Sequence, residues 1–529
     1  MDKAARIGVA LLAAAAVACG QLSTAALNEP HVTGRTQAAA AGEPMERNDP
    51  PNVVLILTDD QRWDTVSAMP TVISELAGHG ISFEHGYVSN PLCCPSRASM
   101  LTGRYSHSNG VYTNKNGQPH GGFRAFDDRS TVATWLDEAG YRTAMLGKYF
   151  NGYEGPYVPP GWDRWFATYV NGAFYDYLAT DDGVVRTYGA DAADYGTTVL
   201  ATEAVRFIES TPADTPLFLY FAPHAPHEPA MAAPGDRRAY TDLGAWRPPN
   251  YDEADVSDKP AYIRDQPRMD AVASARIDEF RRSQYASLLA VDRAVGAIVD
   301  SLDQTGRLSN TLIVYTSDNG MSWGEHRWAT KLVPYEESIH VPFIVRFDPM
   351  IGSPREDEHL VVNIDLAPTF AELAGAGAPG ADGRSLVPLF GNVRGPWRSE
   401  FLLEHMQHSD GGVPTYCGVH SDRYVYVRYR TGEQELYDLE RDPAQLMNLP
   451  GADPHAGIRH PPAGRPRGPG DPPPPRPCRP DYWRRNGTEG SGRTGRGRCA
   501  ADRRDNRRRS ARGRQYGGGG SALPVEHRE

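Results

Sequence analysis

The chain has 529 residues, 40% of them hydrophobic and 23% charged, which excludes a fully disordered or fibrous protein and allows a large buried core. The formal net charge of −11 is uneven: residues 451–529 hold 18 basic and 8 acidic residues, so the rest of the chain carries −21. An acidic body argues against nucleic acid as the main partner and suits a divalent cation.

The N-terminus reads as an export signal. Lys3 and Arg6 flank the start of an apolar stretch, residues 7–18, too short to cross a bilayer. It ends Ala16-Val17-Ala18-Cys19-Gly20. That fits an ordinary cleaved signal peptide over 1–25, or a lipoprotein signal in which Cys19 carries the lipid and anchors the chain to a membrane. Both predict a secreted or cell-surface protein. Residues 26–49 read as a linker.

Residues 52–58 form a largely apolar run closing on Asp59-Asp60, as expected of a strand buried on both faces of a parallel sheet. In the stretch 90–104, Pro95 predicts a helix start and Gly103 a stop. Cys93 then lies just ahead of a helix N-terminus, where backbone N–H groups favour negative charge. Arg97 is four residues on, close enough to share that face. From these residues alone Cys93 is either a thiolate nucleophile or a buried free thiol.

Residues 132–139 read as a helix, 142–146 and 217–221 as extended, and 281–302 as a long amphipathic helix. Residues 311–317 make a second buried run, ending in Asp318-Asn319-Gly320, and a strand (341–346) and a helix (366–374) follow. This alternation predicts an α/β fold over residues 50–395, with a mostly parallel sheet sandwiched by helices. Over 396–450 the pattern changes. Residues 423–429 are β-branched and aromatic and predict an antiparallel hairpin in a smaller α+β domain. Residues 451–529 are rich in Arg, Pro and Gly and predict a disordered tail. Their composition is what a GC-rich gene yields when read out of frame.

Both buried runs deliver acids at their ends, and ligands of open α/β sheets bind outside the carboxyl ends of the strands. Asp59, Asp60, Asp318 and Asn319 are hard oxygen donors that suit Ca²⁺ or Mg²⁺ rather than Zn²⁺.

Cys93-Cys94-Pro95-Ser96-Arg97, followed by Leu101-Thr102-Gly103-Arg104, resembles the signature of type I sulfatases, Cys-X-Pro-Ser-Arg and then Leu-Thr-Gly. The resemblance runs from about residue 52 to about residue 449. The Gly147-Lys148-Tyr149 form and the closing Glu435-Leu436-Tyr437-Asp438-Leu439 are most similar to the N-acetylglucosamine-6-sulfatase and arylsulfatase branch. The resemblance implies an alkaline-phosphatase-like fold and a sulfuric ester hydrolase acting on sulfated sugars or aryl sulfates. It implies that Cys93, not Cys94, is oxidised to Cα-formylglycine by a separate formylglycine-generating enzyme. In the family one hydroxyl of the hydrated aldehyde attacks sulfur and the other releases sulfate. It also implies a metal at Asp59, Asp60, Asp318 and Asn319 beside the Cys93 derivative. Arg97 would hold the hydrate, Lys148 and Lys331 would meet sulfate oxygens, and His224 and His227 are candidate sulfate contacts.

One departure stands out. Many members carry His two residues after the Gly-Lys lysine, where this chain has Phe150 and then Asn151. His326 is therefore the expected leaving-group acid. The alternatives are a phosphate or phosphonate ester hydrolase of the same superfamily, and a non-catalytic polysaccharide-binding lipoprotein.

Overall fold

A computed structural model of the chain describes residues 50–449, apart from 119, 170–173, 392–394 and 408–411. The signal, linker and tail readings, and Cys19 with them, lie outside the described residues.

The strands are, in chain order, β1 (Asn52–Thr58), β2 (Ile81–Phe83), β3 (Gly86–Tyr87), β4 (Arg142–Lys148), β5 (Arg164–Thr168), β6 (Leu178–Asp181), β7 (Val184–Thr187) and β8 (Leu217–Ala222). There follow β9 (Thr311–Ser317), β10 (Phe343–Arg346), β11 (Arg355–Asp357), β12 (Val361–Val362), β13 (Glu400–His405), β14 (Tyr416–Ser421), β15 (Tyr424–Tyr429) and β16 (Gln434–Asp438). Ten of them form one sheet in the order β11-β2-β10-β9-β1-β8-β4-β5-β6-β7. Its centre is parallel: β1 pairs with β8 and β9, and β4 with β5 and β8.

Side chains alternate across a strand, and here both faces are covered. On one face Val53, Leu55 and Leu57 pack with Phe218, Leu312 and Val314, under the helices Cys93–Thr102, Val132–Glu138 and Leu366–Leu373. On the other, Val54 and Ile56 pack with Leu219, Phe221 and Ile313, under the helices Gly196–Ser210 and Ala271–Gln304. Two buried faces explain why β1 and β9 read as continuous apolar runs instead of alternating ones. Truncating a core side chain such as Leu55 to Ala is expected to cost about 2–5 kcal/mol.

Two expected helix starts need correction, and one expected strand gains a direction within the mostly parallel sheet. The long helix starts at Ala271, not at 281, capped by Asp270 accepting from the Ala273 N–H; its first turns are largely exposed and so carry no apolar stripe. The strand near 341–346 is β10, and it runs antiparallel to β9 and β2, so the sheet is mixed. The helix at Pro95 begins two residues earlier, at Cys93. Pro95 still sits within the first turn, where no intrahelical N–H bond is lost.

β13 to β16 form a separate antiparallel sheet. In β15, Val425, Val427 and Tyr429 are buried and alternate with less buried residues. Glu435 is buried and accepts from the hydroxyls of Tyr335 (2.7 Å), Tyr437 (2.6 Å) and Tyr429 (2.5 Å). Through Tyr335 it ties this sheet to the loop after β9. No helix among the described residues is long and apolar enough to cross a membrane.

Candidate active site

Four adjacent parallel strands, in the order β9, β1, β8 and β4, end at one edge. Asp59 and Asp60 follow β1, Asp318 and Asn319 follow β9, His224 and His227 follow β8, and Lys148 closes β4. The register sets Thr58 opposite Ser317, and Gly147 opposite Ala222. Gly147 has φ 114°, and a Cβ there would collide with the Ala222 carbonyl oxygen. Only glycine lets β4 approach β8 so closely at the residue before Lys148.

Cys93 arrives from the other side, as the first residue of its helix. Gly103 stops that helix in the left-handed conformation (φ 67°), its N–H bonded to Ser99 O. The Cys94 N–H at the open N-terminus donates to Asn114 Oδ1 at 2.8 Å. Asn114 was not singled out in the sequence; a lone amide in a polar loop offers no signal.

The groups converge tightly. Cys93 Sγ lies 3.0 Å from Lys331 Nζ and 3.7 Å from Asp59 Oδ1. Lys331 Nζ also reaches Asp60 Oδ1 at 2.5 Å. The ammonium of Lys148 pairs with Asp59, and His224 Nδ1 lies 3.1 Å from the same carboxylate. His227 Nε2 is 3.5 Å from Asp60, and Asn319 Nδ2 donates to Asp60 at 2.6 Å. Arg97 Nε donates to Asp318 at 2.8 Å, and its Nη1 to the Lys148 carbonyl at 2.6 Å. The Asp60 N–H donates to Asp318 at 3.2 Å, with Asp60 in the left-handed region at φ 65°, a conformation Asp tolerates better than most residues.

Charge explains the protonation states. Burial works to raise Asp59 and Asp60, but Lys148 and His227 around the first, and Lys331 and His227 around the second, outweigh it and keep both ionised. Burial, then the Asp59 charge, pushes Asp318 up to about 6. Burial pushes His224 down to about 4, so it is neutral at pH 7. Burial also pushes the Cys93 thiol up to about 11 against the pull of Lys148 and Lys331. Burial of the unmodified sulfur thus favours the neutral thiol over the thiolate.

The residues present fit a divalent cation. Ligand atoms of Asp59, Asp60, Cys93 and His227 all lie within 4.8 Å of one another. Buried Asn319 Oδ1 and Arg97 Nη2 have no hydrogen-bond partner, an acceptor and a donor to spare. The carboxylates of Asp59, Asp60 and Asp318 balance the charges of Arg97, Lys148 and Lys331. A bound divalent cation would leave the cluster with a surplus of positive charge, which suits an anionic substrate.

One expected residue is not at the cluster, and the two that stand where many members carry His lie elsewhere as well. His326 is buried, with Nδ1 2.6 Å from Glu253 Oε2 and Nε2 3.3 Å from Asn250 Nδ2. Both ring nitrogens are engaged within the fold, which argues against its role as leaving-group acid. Phe150 stacks on Phe126 with centroids 4.5 Å apart. Asn151 bonds through its N–H to Cys94 Sγ, not to Cys93.

A family profile described as Sulfatase matches residues 51–376, more than half of the chain. The chain belongs to the sulfatase family. A second profile, N-sulphoglucosamine sulphohydrolase, C-terminal, matches residues 324–461 of this sulfatase. An extracellular sulfatase of Drosophila melanogaster, described as a SULF-1 homolog, is 35% identical over 366 residues, 67% of this chain and 33% of that protein. Human N-acetylglucosamine-6-sulfatase is 35% identical over 448 residues, 75% of this chain and 81% of that protein. The sulfatase thus spans a third of the Drosophila relative, and 56% of a putative extracellular sulfatase of Caenorhabditis elegans. A solved structure of a protein with its substrate D-glucosamine-2-N,6-O-disulfate superposes with a TM-score of 0.68 at 26% identity, covering 77% of this chain and 94% of that one.

Proposed function

We propose that this sulfatase is a sulfuric ester hydrolase acting on sulfated amino sugars, with 6-O-sulfated N-acetylglucosamine as the substrate class. The observation that carries the reading is Cys93, fully buried between Lys331 and Asp59 at the carboxyl edge of the sheet. The names of the human relative and of the sugar in the similar solved structure support the substrate class.

Asp59, Asp60, Asp318 and Asn319 would hold Ca²⁺, whose charge would polarise the sulfate. Oxidised to formylglycine by a maturation enzyme and hydrated, Cys93 would supply an oxygen nucleophile. The other residues work by charge and hydrogen bonding. Arg97, fixed through Nε and Nη1, keeps Nη2 for an oxygen borne by residue 93. Lys148 and Lys331 stabilise the charge that gathers on the sulfate oxygens. His224 is held neutral with Nδ1 on Asp59. His227, whose side chain is 26% exposed, serves as hydrogen-bond donor to the departing oxygen. The export-signal reading and the extracellular names of two relatives support action outside the cytoplasm.

The test is mass spectrometry on the peptide containing Cys93, from protein made in its own host, with parallel assays on the 6-sulfate and 6-phosphate of N-acetylglucosamine. The expected result is a peptide in which sulfur is exchanged for oxygen and two hydrogens are lost, with turnover of the sulfate ester. An unmodified thiol in exported protein, or preference for the phosphate ester, sinks the proposal.

A further inference from the structure

Gln284 stands out on the long helix Ala271–Gln304. It is 1% exposed, and the residues that follow it on the buried side, Leu288, Val291 and Val295, are apolar. A buried amide is tolerated only when its hydrogen-bonding groups are met, and here they are met by three different loops. Its Oε1 accepts from Trp323 Nε1 at 2.6 Å. Its Nε2 donates to the Pro226 carbonyl at 3.2 Å and to the Asp60 carbonyl at 3.4 Å.

Those partners follow β9, β8 and β1, the strands that deliver Asp318 and Asn319, His224 and His227, and Asp59 and Asp60. Pro226 sits between the two histidines. The left-handed backbone of Asp60 (φ 65°) is the kind of strained conformation that surrounding contacts must hold in place. We infer that Gln284 is a positioning residue, which sets the Asp60 carbonyl and the His224–His227 turn in the relation that cation and sulfate require. This rests on the metal-dependent reading proposed above.

Asp292, two turns further along the same helix, is the natural control. It is 4% exposed and accepts from the N–H groups of Thr71 and Val72 at 3.1 and 2.9 Å. It is a buried polar group of the same helix that touches none of the site loops.

The experiment compares wild type, Q284M and D292N, each stripped of metal, by calorimetric Ca²⁺ titration, thermal melting, and kcat and KM on a sulfate ester. Q284M keeps the side-chain volume and removes all three bonds. It is expected to bind Ca²⁺ about tenfold or more weakly, and to lose kcat more than it changes KM. D292N is expected to melt lower with Ca²⁺ affinity unchanged within about twofold. If Q284M does not fold, Q284E, which keeps the acceptor for Trp323 and loses both donors, is read the same way. Wild-type Ca²⁺ affinity in the Gln284 variants overturns the inference alone. A wild type that neither binds Ca²⁺ nor cleaves the ester overturns the reading of the site, and this inference with it.

Discussion

Lys331 reaches both Asp60 and Cys93 with one ammonium. No other residue type combines that reach with that charge on a point. K331M is therefore expected to lower kcat by about 10²–10³, as removal of one preorganised donor does, with correct folding checked by circular dichroism. K148M is expected to fall in the same range. C93A is expected to lose at least about a thousandfold in turnover, in line with loss of a nucleophile. His326 predicts the opposite pattern. H326A removes the partner of Glu253 Oε2, leaving Lys259 on Oε1 at 3.3 Å, and is expected to cost about 1–3 kcal/mol in stability, read by urea melts. Its turnover of an ester with a poor leaving group is expected to stay within about threefold of wild type, since the ring has no contact with the cluster.

At the scale of elements, the acid pairs were legible because each closes a run of buried strand residues, and a strand end is where an α/β sheet exposes its chemistry. Cys93 and Arg97 were legible because helix, dipole and cation are all local. Asn114 and Gln284 were not, because each acts through tertiary contacts that leave no pattern around a lone amide. The start of the long helix was hidden by its exposed first turns, and the direction of β10 was not legible because an apolar run does not encode which way its strand pairs. The short helix Glu336–Ile339 leads into His340, which stacks on Trp63 at 4.6 Å and is pushed down to about 4 by burial. In the unfolded chain a His titrates near 6.5. Below that pH the unfolded chain takes up a proton that the folded chain refuses, so stability is complete above about 6.5 and falls as pH drops toward 4. The neighbouring Glu336, which burial would raise but His420 holds below its ordinary value, extends the loss to still lower pH. H340N is expected to flatten the dependence of melting temperature on pH between about 6.5 and 4.

For the whole molecule, the groups that would hold the cation, Asp59 and Asp60 after β1 and Asp318 and Asn319 after β9, come together only when the large sheet is folded. A ligand that binds only the folded state stabilises it by mass action, about 2.7 kcal/mol at a hundredfold excess over Kd. Chelator-washed protein is expected to melt lower and to lose turnover, and Ca²⁺ to restore both better than Mg²⁺, which demands tighter octahedral geometry. Scanning calorimetry with each ion checks this. Equal melting curves with and without Ca²⁺ would remove the metal from the site.

The spread of the cluster along the chain, from Asp59 to Lys331, also has a meaning in time. During synthesis, Cys93 leaves the ribosome well before the strand that carries Asp318 and the loop that carries Lys331. Until those segments arrive, β1 has no partner on one side, and the cysteine lies open to any macromolecule in its path. Once they dock, the sulfur is shut away, with 0% of the residue exposed. The maturation enzyme proposed for Cys93 would therefore have its best access in the interval between emergence and closure.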